Sequence, residues 1–93
     1  MLNNHQKSKK HLNQFENISL MLEIIKQRIK SGLVGSVVEV LDPRNDGIHL
    51  KAIVTWKGFE GKTILEQHRM VNNCIKDLLK EKVHALGLET RVN

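Results

Sequence analysis

The sequence has a single cysteine, Cys74, so it can form no internal disulfide and no site built from cysteines alone. Aromatic residues are nearly missing: Phe15, Trp56 and Phe59, with no tyrosine. That argues against the sheet of stacking aromatics used by many single-strand nucleic-acid binders. Proline occurs once, at Pro43. No apolar run approaches the roughly 20 residues of a membrane-spanning helix, and no secretory apolar segment follows the start.

What is present suits one small folded domain. Forty per cent of the 93 residues are hydrophobic, an ordinary globular share. The net charge of +5 is unevenly spread. Residues 1–15 hold Lys7, Lys9 and Lys10 and no acid, leaving +2 for the other 78 residues. The reading is therefore a flexible basic tail over 1–15 and a mildly basic domain over 16–93. The tail has no arginine and a single serine, Ser8, unlike the Arg- and Ser-rich transit peptides of mitochondrial proteins. The expected compartment is the cytoplasm, with the nucleus as a further one and the mitochondrion left open.

Periodicity sets the element order. Ile18, Met21, Leu22, Ile25 and Ile29 make one helical stripe, with Asn17 as its expected N-cap and Ser31-Gly32 as its stop. SVVEVL (36–41) and HLKAIVTW (49–56) read as strands around the turn DPRNDG (42–47). Leu50, Ala52, Val54 and Trp56 share one face, and His49, Lys51, Ile53 and Thr55 the other. A loop, KGFEGK, leads to a second helix over about 66–81. Val71, Cys74, Ile75, Leu78 and Leu79 form its buried stripe, and Arg69, Asn73, Lys76 and Lys80 its wet face. VHALGLET (83–90) is the third strand. The order helix-strand-strand-helix-strand predicts an α+β sandwich with both helices on one face of a three-stranded sheet.

No constellation of nucleophile, base and acid appears, so no enzyme is expected. GFEG (58–61) has the G-x-x-G form of a phosphate-clamping loop, but Glu60 would repel phosphate, and the segment reads as a turn. Cys74 reads as a small core residue. His68 reads as ordering the junction into the second helix through hydrogen bonds. His49 and His84 lie 35 residues apart on separate strands and form no metal motif by spacing. Two imidazoles would leave a metal with open positions for a partner to fill.

Residues 59–90, FEGKTILEQHRMVNNCIKDLLKEKVHALGLET, resemble the BolA-like family, and VVEVLDPRNDGIHLKAIV (37–54) resembles its first hairpin. The paired segments EQHRMVN and VHAL carry the likeness. It implies a class II KH-like sandwich with a mixed sheet and without a working phosphate loop. It also implies a non-enzymatic protein, monomeric alone, that pairs with a monothiol glutaredoxin. The two would share a bridging 2Fe-2S cluster also held by glutathione, in iron homeostasis or cluster trafficking. The likeness assigns one ligand to the VHAL histidine, His84. The second would come from the segment between the first two strands, where His49 is the available imidazole. Asp46 stands where cysteine-type members carry a ligand, and a carboxylate suits an iron–sulfur cluster poorly. Many members continue past the third strand with an acidic or Trp-containing helix. Here the sequence stops at Asn93, so docking is expected to use the second helix and the loops. A second expected role is transcriptional regulation through nucleic acid, carried by the basic tail with Arg69, Lys76 and Lys80.

Overall fold

A computed structural model describes residues 14–81 and 85–93. The elements run α1 (Gln14–Gly32), β1 (Val37–Leu41), β2 (His49–Thr55), a short 3-10 turn (Lys57–Phe59), α2 (Ile64–Glu81) and β3 (Ala85–Arg91). The expected order and the α+β class hold. β1 and β3 shift by one residue at an end, to Val37–Leu41 and Ala85–Arg91, and three other boundaries differ for reasons the structure shows. α1 already begins at Gln14, so Asn17 lies in its first turn and is not its cap. α2 begins at Ile64, two residues early, because Thr63 caps it. The Glu66 backbone N–H donates to Thr63 Oγ1 (3.1 Å), and Glu66 Oε1 accepts from the Thr63 N–H (2.8 Å). This reciprocal pair is a capping box. β2 stops at Thr55, and the Trp56 N–H pairs instead with Arg91 O (2.9 Å).

Strand order is β1-β2-β3, with β1·β2 antiparallel and β2·β3 parallel. The mixed sheet follows from the connections. A short turn can reverse the chain between β1 and β2, whereas the long crossover through α2 returns it parallel. Both helices cover one face. Val38, Leu50, Ala52 and Val54 point into it and meet Ile25, Ile29, Leu33, Phe59, Val71 and Ile75, all buried. Leu86 and Leu88 of β3 pack against this core. The other sheet face carries no helix and is polar along β3, where Glu89 pairs with Lys51 (3.3 Å) and with Arg91. One ion pair, Arg28 with Asp77 (2.9 Å), joins the exposed sides of α1 and α2.

The segment after β2 is part of the core rather than a plain loop. Phe59 is fully buried and meets Trp56 edge-on, with ring centroids 5.3 Å apart and planes at 86°. Gly58 lies against the Trp56 ring so closely that a Cβ there would come within 2.5 Å of it. The Trp56 indole N–H donates to Val34 O (2.9 Å), tying this corner to the end of α1. Gln67 is buried one turn into α2. Its amide nitrogen donates to Lys62 O (2.9 Å) and its amide oxygen accepts from the Thr90 hydroxyl.

Candidate metal-ligand site at the sheet edge

The DPRNDG turn is built by two carboxylates. Asp42 accepts from the backbone N–H of Asp46 (3.2 Å) and of Gly47 (2.8 Å). Asn45 and Gly47 take positive φ, 56° and 70°, which their residue types tolerate. Asp46 Oδ1 then accepts from the N–H of Ile48 (2.9 Å) and of His49 (3.0 Å). Its Oδ2 lies 2.8 Å from His49 Nδ1. These bonds, the ring contact first, hold the Asp46 carboxyl far below the usual carboxylate range.

His49 is thus the first residue of β2, on an exposed turn, with a side chain about half exposed (48%). Among the described residues its Nε2 has no hydrogen-bond partner. The parallel register pairs His49 with Ala85, the first residue of β3. His84 precedes Ala85 in the sequence and lies outside the described residues. Asp46 has both oxygens committed to the ring and the backbone, which explains chemically why it is not a ligand candidate itself.

The remaining expected site residues separate from this corner. Arg69 and Lys76 are exposed on α2, on either side of a kink at Ile75, whose φ of −132° and ψ of 17° leave the helical region; the Lys80 side chain lies outside the described residues. His68 is half-buried and makes no hydrogen bond among the described residues. The junction it was expected to order is held by Gln67, whose phase on α2 points inward. The signal for Gln67 was available: Gln67, Val71 and Ile75 step by four, so the glutamine extends the buried stripe by one turn. Cys74 is partly buried, and its Sγ donates to Met70 O at 3.4 Å. Burial pushes its thiol pKa up, away from a reactive thiolate.

GFEG behaves as a turn. The backbone N–H groups of Phe59, Glu60 and Lys62 donate to Trp56 O, Lys57 O and Phe59 O at 3.0–3.2 Å. Donors spent inside the loop are not offered to a phosphate.

The sequence model of the BolA-like protein family matches residues 3–93. The chain belongs to the BolA-like family. A solved BolA homologue from Coxiella burnetii is 39% identical, with a TM-score of 0.63, covering 73% of this chain and 85% of that one. Protein BOLA2 of Arabidopsis thaliana is 32% identical over 71 residues, which is 71% of this chain and 75% of that protein. The DNA-binding transcriptional regulator BolA of Escherichia coli is 27% identical over 78 residues, 76% of this chain and 74% of its own length. The BolA-like fold therefore frames the corner at His49, and among the described residues no helix is long and apolar enough to cross a membrane.

Proposed function

We propose that this BolA-like chain is a non-enzymatic partner of a monothiol glutaredoxin, with which it shares a bridging 2Fe-2S cluster. Its own donors in this reading are His84 and His49; the glutaredoxin thiolate and a glutathione thiolate complete the set. The observation that carries the reading is His49: a half-exposed imidazole at the first residue of β2, paired in register with the first residue of β3, with Nδ1 on a carboxylate and Nε2 without a hydrogen-bond partner among the described residues. Metal-bound histidines commonly hold their second nitrogen this way. The donor set suits the group, because imidazole is a known substitute for thiolate on such clusters and raises their potential.

His84 and His49 bind, the turn orients His49, and the buried side of the sheet keeps both strand starts fixed. In this reading the remaining donors are the glutaredoxin's and the glutathione's to supply.

The test is anaerobic reconstitution of the chain with a monothiol glutaredoxin and glutathione, followed by visible circular dichroism. The expected result is a spectrum distinct from that of the glutaredoxin alone, altered in both His84→Ala and His49→Ala. A wild-type mixture with the glutaredoxin's own spectrum and no complex by gel filtration would reject the proposal. The nucleic-acid reading has the name of the E. coli relative behind it. Two of the GFEG backbone donors, those of Phe59 and Glu60, are spent inside the loop, and this reading would rest on the basic tail with Arg69, Lys76 and Lys80.

A further inference from the structure

Asp46 makes three contacts with one carboxylate: two to the backbone N–H groups of Ile48 and His49 and one to the His49 ring. Two backbone bonds fix the plane of the carboxylate relative to the start of β2. The third fixes the imidazole relative to that carboxylate. The two ring nitrogens then cease to be equivalent. A carboxylate offers only lone pairs, so the proton in the 2.8 Å contact sits on Nδ1. The neutral ring must keep its free in-plane lone pair on Nε2, the nitrogen farther from the backbone.

We propose that Asp46 is a positioning residue that selects the Nδ1–H tautomer of His49 and thereby makes Nε2 the metal donor. This rests on the reading of His49 as a cluster ligand. A bare imidazole on a turn samples both tautomers and several ring rotamers, so only a fraction of the molecules is ready to bind. The apparent affinity falls by that fraction. Asp46 removes the cost in advance, and its backbone bonds keep the turn from swinging the ring away.

The experiment uses the full chain with uniform ¹⁵N labelling. Long-range ¹H–¹⁵N correlation spectra, taken at mildly alkaline pH, read the tautomer of His49 in wild type, Asp46→Asn and Asp46→Ala. Wild type is expected as Nδ1–H. Asp46→Asn is expected to lose it, because a single amide oxygen cannot accept from both the backbone N–H groups and the ring: with the oxygen on the backbone, the amide NH2 faces Nδ1 and donates to it, which favours the Nε2–H tautomer. Asp46→Ala loses it in favour of a mixture. The same three proteins, reconstituted with glutaredoxin and glutathione, are then challenged with an iron chelator. Asp46→Ala is expected to bleach roughly 10-fold faster than wild type, and Asp46→Asn at least as fast as Asp46→Ala. A wild-type ring in the Nε2–H form overturns the inference. So does an Asp46→Ala protein whose tautomer and bleaching rate both match wild type. If the wild-type complex forms and only the Asp46 comparison fails, the shared-cluster reading survives alone. If no wild-type complex forms, both fall.

Discussion

The two connections that flank β2 are of similar length and opposite construction. The turn before it, residues 42–48, is held by exposed carboxylates bonded to backbone N–H groups, and no side chain in it belongs to the core. The segment after it, residues 56–63, is held by a buried phenylalanine, an edge-on tryptophan and a buried glutamine reaching in from α2. Both contain glycines and both read as loops by composition. One is a scaffold whose loss would unfold the domain; the other is a presentation device whose loss would leave the domain standing. Chemistry belongs on the second kind, because a side chain that the core needs is not free to meet a ligand.

The strongest challenge to this contrast is Phe59→Ala. It removes a fully buried ring from the centre of the core and is expected to cost about 3–5 kcal/mol, read by urea unfolding. A cost near zero would mean that the second connection is no more structural than the first. Next comes Gln67→Leu, which keeps the bulk but leaves Lys62 O and the Thr90 hydroxyl without their partner. The expected loss is about 1–3 kcal/mol. Thr63→Ala removes the cap of α2 and should cost about 1 kcal/mol.

The capping box also carries a pH signature. The Thr63 N–H and hydroxyl hold the Glu66 carboxyl below its ordinary 4.5. The unfolded chain then takes up the proton first. This contribution is complete above about pH 4.5 and fades as the pH falls through the depressed folded value. Thermal melts between pH 7 and pH 3 should show a shallower acid loss in Glu66→Gln than in wild type. Equal slopes would mean the cap does not hold the charge.

At the weak end stands His49→Ala. Its side chain is half-exposed and outside the core, so Tm should move by no more than about 3 °C, while the dichroism of the reconstituted complex changes. A large drop in Tm would erase the distinction between the two connections.

The sequence made the architecture legible where a period repeated: the α1 stripe named Ile25 and Ile29, the alternation of β2 named Leu50, Ala52 and Val54, and the four-step of α2 named Val71 and Ile75, all buried, while the Ile18 side chain lies outside the described residues. It hid what depends on single residues. Phe59 is a lone apolar residue among Lys, Gly and Glu, and no period marks it as core. Gln67 is in phase with the stripe, but polarity disguised it. Asn17 suited a cap by type, and the helix simply runs past it to Gln14. At the site, His49 was visible as a residue and as a family position. Its hold by Asp46 was not, because a three-residue spacing becomes a contact only once the turn bends around Asn45 and Gly47. His84, legible from VHAL, lies outside the described residues.

The parallel ladder between β2 and β3 has one more effect. If β3 slipped by one residue, Leu86 and Leu88 would turn away from the helices, and the core would forbid it. If it slipped by two, the faces would be preserved but the beginning of β3 would travel about 6.6 Å along its neighbour. The Gln67 bond to Thr90 and the Trp56 bond to Arg91 both pin the far end of that strand against such a shift. Residues at the opposite end of the sheet therefore act as a ruler, setting how far His49 stands from the start of β3 without touching either.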